Sequence, residues 1–368
     1  MYVRFFRGGN FSGWIQLDPT NTWPPERILP SVRKVQWKLE PAMNNAITLK
    51  GVRKTFGQTT AVDDLDLVIP ANALYGFIGP NGAGKTTSIR MIMSILFPDR
   101  GELSVLGFQS AMEAKDRIGY LPEERGLYRK MRVGAFLTYM AKLKGVTDPS
   151  LQKRVESALE SVGLAGTARK RCEELSKGMM QKVQFVAATI HRPDLLILDE
   201  PFSGLDPVSA RLLRDLVLAE HKRGAAILFS THVMTHAEEL CDSVVMIHQG
   251  RKVLDERIAK IRRQYDPRRI LFDPLDPDAD LSSLRSLAEV ERLERSERGY
   301  EVLLAEGTDP AQAMRRIVQT VTPARLEVSR PKLEDIFINL VSGGLANTES
   351  VEALRAGLTE NAAKAAAV

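Results

Sequence analysis

Residues Leu74–Ser88 read LYGFIGPNGAGKTTS, a β-prone run of five followed by a glycine-rich turn and a segment fit to begin a helix. Within it, Gly79–Thr86 fits the pattern G-x-x-x-x-G-K-[ST]. A glycine cluster alone reads as an ordinary connector. Between a strand and a helix, and ending in lysine and threonine, it reads as a phosphate cradle. The stretch Gly79, Pro80, Asn81, Gly82, Ala83 and Gly84 lets the main chain approach closely and turns free N–H groups toward an anion, with the positive end of a helix behind them. Lys85 is placed to neutralise the β- and γ-phosphates and the Thr86 hydroxyl to hold Mg2+, with Thr87 in the same binding set.

A second motif turns this cradle into half of a nucleotide hydrolase. Leu195–Pro201 reads LLILDEP: four apolar residues make a buried strand whose end presents Asp199 and Glu200, so that one carboxylate reaches the Mg2+ shell and its neighbour meets water. Short β-branched runs alternate with amphipathic helical segments from Ala46 to Leu254, the pattern of an α/β domain with a mostly parallel sheet. Its interior, about Val133–Glu174, is helical instead, with Phe136, Leu137, Met140 and Leu143 at helical spacing. The sequence therefore predicts an α/β domain over 46–258 with a helical subdomain inserted at about 127–180.

Beyond Ile261 the elements run strand, helix, strand, strand, helix, strand, a βαββαβ ferredoxin-like order, closed by a helix in KLEDIFINLVSG. This predicts a small C-terminal α+β domain over 266–344. Residues 345–368 form an Ala-rich stretch that reads as a frayed helix or a flexible tail. Residues 1–42 hold no sustained period and include Pro24-Pro25, so an irregular extension is expected there. All three tryptophans lie in it.

With 368 residues, 44% of them hydrophobic, the chain can bury a large core. A formal net charge of +5 suits an anionic surface without requiring one. Cys172 and Cys241 are far apart and lack CxxC spacing, which indicates neither a disulfide framework nor a zinc site. No apolar run approaches the roughly 18 residues of a membrane-spanning helix, and the first residues lack a signal-peptide core.

Between and after the two phosphate motifs stand ELSKGMMQK (174–182), SGLDP (203–207) and LFSTH (228–232). With these, residues 47–255 resemble the ATP-binding subunit of ATP-binding cassette (ABC) transporters, the motifs falling in the family's order: an α/β P-loop cassette using ATP and Mg2+. The resemblance implies that Ser176 and Gly178 complete the ATP site of an opposite protomer, that Asp206 links the two sites, and that His232 holds the γ-phosphate and the attacking water. It implies that Phe56 stacks on adenine, with Val62 beside it. Glu200 is then the catalytic base, and Asp199 with Thr86 holds Mg2+. Each role has physical sense, since a helix opening at Ser176 offers a hydroxyl and free N–H groups to a phosphate and an aromatic ring gives adenine an apolar face. For Phe56 the alternative is a core aromatic.

Two departures qualify the pattern. LSKGM places Lys177 and Met179 where the family commonly has Gly and Gln, and this form resembles the type-two exporter branch, whose membrane subunits are separate polypeptides; KLEDIFINLVSG is similar to the closing helix of that branch. Glu123, in RIGYLPEERGLY (117–128), stands where the family usually has a Gln that senses Mg2+ and contacts the membrane subunit. It is expected near the metal, the alternative being a solvent-facing side chain.

The partners implied are a second ATP-binding subunit, identical or not, and a transmembrane permease that holds the chain at the cytoplasmic face of the cell membrane. No specific nucleic acid is expected. The other class of reading is a regulatory or nucleic-acid-associated ABC protein; those usually carry two cassettes or a long coiled coil, and neither is present. His232 and His236 are spaced like a metal pair, but HVMTH lacks the adjacent Glu of a zinc protease and a third ligand. His191 and His248 are expected to serve structure, and His221 to face solvent.

Overall fold

The computed structural model describes residues 2–7, 10–16, 44–124, 126–264, 269–296, 299–329 and 332–341. They fall into two units, Met1–Ala42 and Met43–Val368. In the first, irregular structure is the sequence expectation, and the described part corrects it. β1 (Tyr2–Arg7) and β2 (Asn10–Gln16) pair antiparallel, from Tyr2 opposite Gln16 to Arg7 opposite Asn10. The reason is local: both runs are rich in aromatic and β-branched residues, and Gly8-Gly9 stands between them, a dipeptide suited to hairpins.

The second unit begins with β3 (Asn45–Phe56) and β4 (Thr59–Pro70), then β5 (Leu74–Ile78), α1 (Lys85–Ile92), β6 (Arg100–Val105) and β7 (Ile118–Leu121). Strands β4, β3 and β6 make an antiparallel sheet. The chain continues through α2 (Val133–Leu143), α3 (Leu151–Ser161), α4 (Lys177–Thr189), β8 (Leu195–Asp199), α5 (Pro207–Lys222), β9 (Ala226–Thr231), α6 (Met234–Leu240), β10 (Ser243–His248), β11 (Arg251–Arg257) and α7 (Ile258–Gln264).

The main sheet runs β11-β10-β5-β9-β8-β7, parallel except for the β10–β11 pair. Its central strands are covered on both faces, which is why they read as unbroken apolar runs. Alternate residues serve opposite layers: Tyr75, Phe77, Leu195, Ile197 and Leu228 pack on one side, and Leu74, Ile78, Leu196, Leu198 and Phe229 on the other. Because β5, β9 and β8 are parallel neighbours, their carboxyl ends open on one edge of the sheet, where ligands of such folds bind.

Helices α2, α3 and α4 close on their own cluster, which includes Phe136, Leu137, Val155, Leu159 and Val183. Met140 packs partly against it, but Leu143, at the last turn of α2, is 53% exposed and leaves the expected apolar face.

The remaining elements are β12 (Arg269–Pro274), α8 (Ser282–Arg285), β13 (Val290–Ser296), β14 (Gly299–Leu304), α9 (Pro310–Thr320), β15 (Pro323–Ser329) and α10 (Leu333–Val341). The order is βαββαβ plus one helix. The four strands form an antiparallel sheet in the order β13-β14-β12-β15, the ferredoxin-like arrangement, over a core that includes Ile270, Phe272, Val302, Ala313 and Ile317.

Helix α10 does not join that core. Leu333, Ile336, Phe337 and Ile338 pack with Phe229, Ala237 and Leu240 in the α/β domain. The expectation of one accessory body over 266–344 is thereby corrected at its last helix, whose apolar stripe at 333, 336 and 337 finds its partner on the larger sheet. The tail 345–368 lies outside the described residues.

Candidate nucleotide site

β5 is buried at every position and delivers the chain into the glycine-rich loop. A side chain at Gly79 would put its Cβ 2.2 Å from the Ile247 carbonyl oxygen, and one at Gly84, where φ is +104°, would meet the Ala61 carbonyl oxygen at 2.4 Å. Only glycine lets the loop pass so close to its neighbours. α1 then starts with no side-chain cap and no acidic residue in its first turn, so its leading N–H groups remain available to an anion. Asn81 and Gly82 are exposed and Ala83 is buried, while Thr86 and Thr87 are half-buried. Lys85 is 5% exposed, and its ammonium donates to the carbonyls of Gly79 at 2.8 Å and Pro80 at 3.1 Å. Burial holds its pKa down, while the carboxylates of Glu200, Asp199 and Glu123 oppose that shift.

Two strands away, β8 ends in Asp199 and hands over to Glu200. Asp199 Oδ1 accepts the Ser230 hydroxyl at 2.5 Å and the Thr86 hydroxyl at 3.4 Å. Ser230 sits opposite Asp199 in the β8–β9 register and also accepts the Glu200 N–H at 3.1 Å, so one hydroxyl fixes both acidic residues. Glu200 has φ of +48°, a left-handed backbone uncommon outside glycine and recurrent at functional sites. Its Oε1 lies 3.7 Å from Lys85 Nζ and 3.0 Å from His232 Nδ1. The latter approach is an ion-pair distance without hydrogen-bond alignment: among the described residues, Glu200 Oε1 and both His232 ring nitrogens have no hydrogen-bond partner. Lys85, Thr86, Asp199, Glu200 and His232 thus come together at the carboxyl edge of β5, β8 and β9.

Asp199 Oδ2 is buried and likewise lacks a hydrogen-bond partner among the described residues. A spare carboxylate oxygen beside a threonine hydroxyl fits a hard, oxygen-bound cation such as Mg2+, which takes one or two protein ligands and completes its shell with water and phosphate. Glu123 is open at its surface, yet partial desolvation of its carboxyl, then the negative charges of Asp199 and Glu200, raise its pKa. It is within electrostatic reach of the site. No three His, Cys, Asp or Glu side chains converge as a metal cage among the described residues. His236 instead meets the Phe202 ring edge-on at 5.1 Å.

The other motif residues gather elsewhere on the domain. Ser176 is the N-cap of α4 and its Oγ accepts the Met179 N–H at 3.3 Å. Asp206 caps α5 in the same way, accepting from Ser209 N at 2.9 Å, and this bonding lowers its pKa. The first turn of α4 lies beside the start of α5: a Cβ at Gly178 would lie 3.9 Å from Asp206 Oδ2. Gln181, 3% exposed, ties the pair to the acidic motif by donating to the Pro201 carbonyl at 3.0 Å. Phe56 is 48% exposed with the Lys54 ammonium 5.6 Å from its ring centre, so it is not a core aromatic.

Val62 is 1% exposed and packs in the core, so its side chain offers little surface to a ligand. His221 is corrected. It is half-buried, 3.6 Å from Asp242. His191 Nε2 donates to the Ile118 carbonyl at 3.1 Å, and burial pushes its pKa down to about 4.

Residues 62–203 match the ABC transporter family, and residues 257–341 match the C-terminal domain of DrrA1-3-like ATP-binding proteins. The chain is 40% identical over 296 residues to the ABC transporter ATP-binding protein YhaQ of Bacillus subtilis (strain 168), covering 80% of this chain and 98% of YhaQ. The chain belongs to the ABC transporter ATP-binding family.

A second ABC relative, the bacitracin transport ATP-binding protein BcrA of Enterococcus faecalis, is 31% identical over 315 residues, with 82% of this chain and 98% of BcrA covered. A solved ATP-binding subunit of an ABC transporter superposes with a TM-score of 0.56 at 31% identity, spanning 60% of this chain and 93% of that one. ABC subunits of this kind bind and hydrolyse ATP and work with separate transmembrane components, and this chain is such an ATPase. Among its described residues no helix is long and apolar enough to cross a membrane.

Proposed function

We propose that this ABC subunit hydrolyses Mg-ATP within a head-to-tail dimer and drives export through a separate permease at the cytoplasmic face of the cell membrane. The observation that carries the reading is the approach of Lys85, Asp199, Glu200 and His232 at one edge of the sheet. Gly79–Gly84 and the open N-terminus of α1 hold the phosphates, and Phe56 offers its exposed ring to adenine. Thr86 and Asp199, with Glu123 within reach, would hold Mg2+, which would supply charge neutralisation to the phosphates. Glu200 takes the proton of the attacking water, and His232 keeps that water and the γ-phosphate in line.

Ser176 and Gly178 lie outside the set of contacts that joins Lys85 to Glu200, which supports their serving the nucleotide of a partner protomer, with Asp206 relaying between the two sites. Closure on ATP and release after hydrolysis make that interface the moving part. The export direction is supported by the bacitracin transport relative and by the DrrA-like C-terminal domain. For the permease, the exposed Tyr128 and Tyr139, stacked edge-on at 6.0 Å on the helical subdomain, offer an aromatic ledge.

The test is Glu200→Gln, which keeps the binding loops and removes the base. We expect it to bind Mg-ATP, to lose at least about 100-fold in kcat, and to run as an ATP-dependent dimer on a sizing column. Hydrolysis at the wild-type rate would take the base role from Glu200.

A further inference from the structure

The segment that carries His232 is braced by an element from the far end of the chain. α6 begins two residues after His232 and is only seven residues long, too short to hold its own direction without tertiary contacts. One brace is the sheet. The other is α10: Met234, Ala237 and Leu240 of α6 share a buried cluster with Leu333, Ile336 and Phe337. The Leu333 N–H, at the start of α10, donates to the Glu238 carboxylate, so a side chain of α6 caps a helix 95 residues further on. The Phe337 ring also meets His248 edge-on at 5.8 Å, tying α10 to the end of β10. His232 itself has no hydrogen bond to fix its ring among the described residues. Its position is therefore inherited from its backbone, which β9 holds on one side, ending at Thr231, and α6 on the other.

We infer that Glu238 is a positioning residue for His232: by clamping α10 against α6 it holds the imidazole 3.0 Å from Glu200. This rests on the catalytic assignment of His232 given above. Helix α10 has no contact with the phosphate loop in any of these interactions, so the clamp acts on turnover and leaves ATP affinity alone. The ferredoxin-like domain, which runs directly into α10, thereby gains a mechanical line to the active site.

The test measures kcat and KM for ATP in the full chain for Glu238→Ala, Glu238→Gln, His232→Ala and the double variant His232→Ala/Glu238→Ala. We expect Glu238→Ala to lose about fivefold in kcat with KM changed by less than about twofold. Glu238→Gln should keep most of the rate, because its amide oxygen still accepts the Leu333 N–H. In the His232→Ala background the Glu238→Ala change should add nothing, since it acts through the missing ring. Should Glu238→Ala not fold, Phe337→Leu, which keeps an apolar side chain in the cluster, takes its place in the comparison. A slow His232→Ala beside an unimpaired Glu238→Ala, or an equal loss from Glu238→Ala in both backgrounds, overturns the clamp alone. A wild-type rate in His232→Ala overturns the role of His232, and the clamp with it.

Discussion

Burial raises the pKa of the Asp199 carboxyl, and the charge of Glu200 adds to the shift, while hydrogen bonds from Ser230 and Thr86 and the Lys85 ammonium pull the other way. A carboxyl whose folded pKa lies above its unfolded value stabilises the fold fully below the ordinary carboxylate range, and that contribution is lost as pH rises through the raised value. At neutral pH the charged Asp199 therefore works against the nucleotide-free fold, as a binding group held ready for a cation. Asp199→Asn should raise the stability of the nucleotide-free protein by about 1 kcal/mol at pH 7 while abolishing Mg2+-dependent hydrolysis, and the gap should narrow in acid. Calorimetry across pH checks this; a lower midpoint for the variant at pH 7 would show that its lost hydrogen bonds outweigh the relieved charge. Asp199, Glu200, Lys85 and Thr86 are legible from spacing because each stands at the end of a recognisable strand or loop. Ser230, Gln181 and Glu238 are not, because the groups they bond lie 31, 20 and 95 residues away and nothing local marks them.

Among the elements, α4 combines two duties at one residue. Ser176 caps the helix and also stands where a partner's phosphate is expected. The two can be separated: Asp is as good an N-cap as Ser, but it presents a carboxylate to phosphate. Ser176→Asp should keep the unfolding midpoint within about 2 °C, a shift that corresponds to less than 1 kcal/mol, yet cut kcat by at least about tenfold. Equal activity would remove Ser176 from the nucleotide interface. The parallel sheet is readable in the sequence because strands covered on both faces must be apolar along most of their length, as LYGFI, LLILD and AILFST are until the polar carboxyl ends of the last two. The β1–β2 pair escaped the same reading because a short aromatic hairpin has no long period to detect. The destination of α10 escaped it too, since an apolar stripe announces that a helix is buried and says nothing of which sheet buries it.

Across the whole molecule, the chain leaves the α/β domain at α7, builds the ferredoxin-like sheet, and returns with α10 to finish the first core. A truncation that stops before Leu333 removes four buried side chains from that core, so its unfolding midpoint should fall by about 10 °C or more. A thermal scan of the truncated chain beside the full one decides it; matching midpoints would show that α10 is dispensable to the larger domain. The same route has a bearing on synthesis. Domains that are continuous in sequence can fold while the ribosome is still adding residues behind them. This one is completed late: when everything through β15 has been translated, the surface around Phe229 and Ala237 still awaits Leu333 and Phe337. Until those arrive the nascent ATPase carries an apolar wound, a period during which chaperones have something to hold and a chain broken off early is exposed to proteases instead of being left half-working.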